Sequence, residues 1–179
     1  MPPLSPGDEG FWAEDVLEQI RTTLGGYWNT MRAILVAEWQ TTDYPTLLPR
    51  EATVENIMAG PEYAFQRDPQ IELVWRGVRE TRPYLGDQIR IAWDIGVAVF
   101  FRLGIHPRYL GLMASRYSKL CYATLRRYYN VDASGRIITL TLQSAEPFAV
   151  QAQDSDSIQE AAAALSLIVW AQHKHHRPT

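Results

Sequence analysis

Cysteine is nearly missing from this chain. Cys121 is the only one among 179 residues, so no internal disulfide and no cysteine-rich zinc cluster can form, and nothing calls for an oxidising compartment. Neither sign of charge is in excess: 17 Lys and Arg face 20 Asp and Glu, for a formal net charge of -3. That balance exerts no general pull on phosphate backbones and argues against nucleic acid as a partner. Long apolar runs are absent as well. The most apolar stretch, IAWDIGVAVFF, contains Asp94 and falls short of the roughly 20 residues that span a bilayer, so no membrane span is expected. The N-terminus MPPLSPGDEG is acidic where a secretion signal is basic, and the cytoplasm is the expected location. Catalytic signatures are lacking too. There is no G-x-S-x-G elbow, no phosphate-cradling glycine loop and no motif around Cys121. The carboxylate pairs Glu14 and Asp15, and Asp154 and Asp156, fall at expected helix starts, where they cap. His173, His175 and His176 close the chain without acidic or cysteine neighbours and read as a solvated terminus. The expectation is no enzyme and no metal site.

With 46% hydrophobic residues the chain can bury a core unaided. The sequence divides into a flexible segment, 1–10, and a single domain, 11–179. From Phe11 to Trp39, Val16, Leu17, Ile20, Leu24, Tyr27, Trp28, Met31, Ile34 and Leu35 recur in threes and fours, which predicts a helix bent or split at Gly25 and Gly26. A brief helix is expected near Val54 to Met58, and another over Ile71 to Arg82, stopped before Pro83. Between Gly86 and Leu103, positions Ile89, Trp93, Gly96, Phe100 and Leu103 share one helical face. Met113, Tyr117, Leu120, Cys121, Thr124, Leu125 and Tyr128 mark a long amphipathic helix over Tyr109 to Tyr129. RIITLTLQ and FAVQAQ, separated by SAEP, predict a small hairpin. Two overlapping capping boxes ahead of an alanine-rich run then predict a last helix, Ile158 to His173. The fold class that results is all-α, with a small β-hairpin insertion between the last two long helices.

Within this pattern RLGIHPRYLGLM, residues 102–113, resembles the turn between two core helices of globin-coupled sensors and protoglobins. Arg102, Leu103, Gly104, Ile105, Pro107 and Tyr109 carry the similarity, with Gly111 after them and Ile95 and Gly96 before. The resemblance implies a globin-like helical sandwich. It also implies a haem-ligating histidine, but that slot falls on Phe100 or Val99, and neither side chain has a lone pair for iron. The implied function is therefore a haem-free globin-like sensory or regulatory domain. It would act through an apolar small ligand, a signalling partner, or a homodimer built on the Tyr109 to Tyr129 and Ile158 to His173 helices. The alternatives are a haem-binding gas sensor or carrier with an unconventional ligand such as His106 or Cys121, and a helical interaction module without ligand. No cofactor is expected on the first reading, haem on the second. The pocket residues would be Phe100, Trp93, Met113, Tyr109, Tyr117 and His106. The aromatic ones among them would either line the pocket or fill it, and His106 would otherwise be a surface turn residue.

Overall fold

The computed structural model describes residues 6–59, 67–84, 88–103, 109–130, 137–150 and 159–174. It is not an all-α protein. Two helices, α1 (Pro6–Trp39) and α2 (Leu110–Tyr128), pack on a five-stranded sheet of β1 (Ile57–Ala59), β2 (Gln70–Pro83), β3 (Gln88–Leu103), β4 (Ile137–Val150) and β5 (Gln159–Lys174). The spatial order is β1-β2-β3-β5-β4. β1 runs parallel to β2, and every other pairing is antiparallel. The globin resemblance falls with this architecture, because the segment that would hang the haem is the central strand of a sheet.

The central strand also shows why the helical reading of 86–103 failed. Ile89, Ile91, Trp93, Ile95, Val97, Val99 and Phe101 are all at most 1% exposed and point to one side, a period of two and not of 3.6. The helical face had Ile89, Trp93, Gly96 and Phe100 but left four β-branched residues off it. A strand takes them all, and β-branched side chains suit a pleated surface. The segment read as a helix over Ile71 to Arg82 is β2 for the same reason, with Ile71 and Leu73 buried opposite Val99 and Val97.

β5 replaces the expected last helix. Its alanines favour a helix locally, yet Ala161, Ala163, Leu165, Leu167, Val169 and Ala171 alternate into the core. Their register against β3 sets the small Ala161 beside Phe101 and Ala163 beside Val99, which keeps the layer level for the helices above. The expected hairpin is absent in its predicted form. SAEP stays inside β4, which runs on past a register shift between Leu142 and Ser144 and pairs with β5. Pro147 is tolerated there because β4 is an edge strand. The brief helix near Val54 is a single 3-10 turn, Val54–Asn56, leading into β1.

Both long helices stand close to where their periodicity placed them. α1 buries Ala13, Val16, Ile20, Leu24, Trp28, Met31, Leu35 and Trp39 along one side with no break at the glycines. α2 buries Met113, Tyr117, Leu120, Cys121, Thr124 and Leu125. The helices meet where Tyr27 stacks on Tyr128, rings 4.4 Å apart, and α2 meets the sheet where Tyr117 stacks on Phe101 at 4.5 Å. One apolar cluster runs from α1 through the sheet to α2. No helix of the described residues is long and apolar enough to cross a membrane.

Candidate interaction surface and polar clip

Both helices lie on one side of the sheet, and among the described residues no helix covers the other. The open face takes the alternate positions of the strands, so its floor in β3 and β5 is largely small: Ala92, Gly96, Ala98, Ala162, Ala164 and Ser166, with Ile168 and Trp170. Arginines lie over this floor, and the backbone of β2 is distorted to place them. β2 shifts register between Trp75 and Gly77 and again between Val78 and Glu80. The extra residue is an arginine both times, Arg76 and then Arg79. A bulge re-aims the side chain it inserts. The first one is completed by Gly77 at a φ of 150°, a backbone region that glycine takes far more readily than other residues.

The arginine contacts follow from that placement. Arg76 lies against Gly96, where a Cβ would come within 2.7 Å of its Nε, and Nη1 reaches Ser166 Oγ at 3.4 Å. Arg79 Nη1 donates to Gln143 Oε1 at 3.3 Å, from β2 to β4 over the two strands between them, which only the open face has room for. Arg82 stands 5.0 Å from the Trp170 ring and pairs with Glu80 at 2.6 Å. Arg90 lies 3.7 Å over Tyr84. Two buried atoms of β3 on this face, Arg90 Nε and Asp94 Oδ1, have no hydrogen-bond partner among the described residues.

The sequence reading missed these arginines. R76-G-V-R79-E-T-R82 has a spacing of three, which looks like one side of a helix. In a regular strand that spacing alternates faces, and only the two bulges make the three usable together.

A second polar constellation lies at the other end of the sheet. The irregular segment 49–52 is held across the helices by side chains, as its backbone groups require. Pro49 O accepts from Arg32 Nε at 2.6 Å, Arg50 O from Trp28 Nε1 at 3.0 Å, and Asn29 Oδ1 from Ala52 N at 3.1 Å. Arg50 N donates to the buried Tyr117 hydroxyl at 3.0 Å. Arg50 Nη1 stands 2.5 Å from Asp68 Oδ2, an ion pair without hydrogen-bond alignment. Arg102 N donates to Asp68 Oδ1 at 3.3 Å. Burial pushes the Asp68 carboxyl up despite this backbone donor and the two arginines, and burial also pushes up the Tyr117 hydroxyl. The geometry ties α1, α2 and the start of β2 together. It is a clip, with the acid spent on a structural pair.

Among the described residues, the side chains expected to line a pocket are not gathered at one place. Trp93 and Tyr117 are both in the core, but Tyr117 stacks on Phe101, eight residues from Trp93 and so roughly 26 Å along the strand. Phe100 faces the open side, opposite Gln70 and Ala162. Met113 is buried on α2. Tyr109 packs edge-on to Tyr44 at 5.3 Å. His106 lies outside the described residues, as do His175 and His176. His173, expected to be solvated, is 1% exposed, and its Nε2 accepts from Trp93 Nε1 at 3.1 Å. Cys121 is fully buried, and desolvation pushes its thiol up to about 12. Among the described residues no group of three or more His, Cys, Asp and Glu could hold a metal. The helix pair expected to make a dimer does not exist, since β5 sits inside the sheet. At the end of α2, Tyr128 stacks on Tyr27, and Tyr129 just beyond the helix donates to Ile138 O at 3.1 Å. No protein-family model matches the sequence, and no curated protein does so either.

Proposed function

We propose that this chain is a non-catalytic binding domain that docks a partner protein on the open face of its sheet. The two arginine-bearing bulges of β2 are the observation that supports the reading most. A bulge gives up ladder pairing, and bulges concentrate where a side chain must be re-aimed for function. Here two of them, close together on one strand, deliver the same residue type. Ala98, Ala164 and Ser166 of the floor between the arginines keep part of their surface exposed. A lone cysteine with no disulfide to make fits a cytoplasmic setting.

The test is site-specific photocrosslinking in cells of the source organism. A benzophenone side chain at Ala164, on the open face, should give a discrete adduct. The same group at Ala37, exposed on α1, should give none. Adducts at Ala37 alone, or equally at both, would overturn the reading. Circular dichroism of each variant checks that the fold is retained.

A further inference from the structure

Resting on that reading, we infer that the partner docked on the open face is a second copy of this chain, with Arg76 of each copy set against Glu146 of the other. Both signs of charge share the face. Glu72, Glu80 and Asp94 stand among the arginines of β2 and β3, and Glu146 lies across the sheet on β4, opposite Ala164. A partner carrying one sign of charge would meet its own sign there. A two-fold interface sets one patch against itself, so a patch that carries both signs is the kind that can match. Arg76 and Glu146 are both exposed, and neither has an ion pair among the described residues.

The strand order supplies the geometry. β2 and β4 flank the central pair β3 and β5, one on each side. A two-fold axis that runs along the strands above this pair therefore lays β2 of one copy over β4 of the other. The Arg76 guanidinium rests on Gly96 and reaches Ser166, and Ser144 continues the same row on β4. Glu146 is two residues further along β4, or about 7 Å. Packed sheets stand about 10 Å apart, a gap that an arginine from one side and a glutamate from the other can close together. Because of the symmetry the contact is made twice, once on each side of the axis. Beneath the axis lie Ala98, Ala164 and Ser166, small and partly exposed, so no bulky side chain on that stretch holds the two sheets apart.

Sedimentation equilibrium of the purified full chain at low salt should give twice the mass of 20.4 kDa. Arg76→Glu and Glu146→Arg should each raise the dimer Kd at least about tenfold, since each substitution turns two attractions into repulsions. The double variant Arg76→Glu with Glu146→Arg restores both pairs in the swapped sense and should return Kd to within about threefold of the parent. A folding defect would not be rescued in this way. Arg126→Glu, exposed on α2 on the other side of the sheet, should leave the dimer unchanged, and circular dichroism checks each variant. A dimer that ignores the single reversals, or that the double swap does not restore, overturns the inferred contact. A monomer at about 100 μM, where a dimer with a Kd of about 10 μM is mostly assembled, overturns the second copy. The Ala164 crosslink then separates the two failures. An adduct with another protein leaves docking on the face standing, and no adduct removes that reading as well.

Discussion

Arg116 carries a full charge into a site only 4% exposed, and its partners among the described residues are oxygens other than carboxylates. It donates to Tyr44 O at 2.9 Å, to Leu47 O, and to Thr42 Oγ1 at 2.8 Å, which closes the chain reversal after α1. Arg116→Met keeps most of the stem but leaves those acceptors without donors, so it should cost about 2–4 kcal/mol in urea unfolding. Cys121 makes the opposite prediction, that nothing happens. With its thiol buried and pushed up to about 12, Ellman's reagent should not react in the native state at about pH 8 and should react at once after denaturation. Asp68 links stability to pH. Its folded-state carboxyl is raised above the ordinary 3.8, so the folded state holds the proton more tightly than the unfolded one. The stability that proton brings is complete below about 3.8 and is lost as pH rises through the folded value. Asp68→Asn removes that dependence. The stability of the variant relative to the parent should therefore shift in favour of Asn as pH is raised from about 4 to about 7, and a flat difference would refute the assignment.

At the scale of elements, the paired glycines of α1 differ in what surrounds them. A Cβ on Gly25 would come within 2.8 Å of Val54 Cα, backbone that cannot swing aside, so this glycine lets the helix touch the 3-10 turn. A Cβ on Gly26 meets nothing within 4 Å. Gly26→Ala should stabilise the protein by about 0.5–1 kcal/mol through helix propensity alone. Gly25→Ala should destabilise it by about 1–3 kcal/mol from the clash, and thermal melts of the pair would show the opposite signs. Both helices were legible in the sequence because Val16, Ile20, Leu24 and Trp28, and Met113, Tyr117, Leu120 and Thr124, follow 3.6 with no competing period. The strands were not. In β3 a helical subset and a two-residue alternation coexist, and in β5 an alanine run with good capping signals points the wrong way. The two bulges of β2 are invisible to any fixed period, and the arginine face went unseen with them.

For the molecule as a whole, a single apolar cluster joins both helices to the sheet, so no element has a core of its own. Chemical unfolding followed by tryptophan emission, which reports on buried Trp28 and Trp93, and by far-ultraviolet circular dichroism should give coincident curves. Separate midpoints would show that the helices or the sheet stand alone.

By itself the sequence determined that there is one thiol and no disulfide, a balanced charge, enough apolar residues for a core, and two amphipathic helices at 11–39 and 109–129. Each of these follows from composition or from hydrogen bonds made within four residues. The tertiary structure decided that the remaining apolar segments are strands. A strand's hydrogen bonds are made by its neighbours, and here Trp93 of β3 is paired with Val169 of β5, far along the chain. Long-range pairing overrode the local helical preference of β5 and set which side of β3 faces the helices. It also gathered Arg76, Arg79, Arg82 and Arg90 over one face.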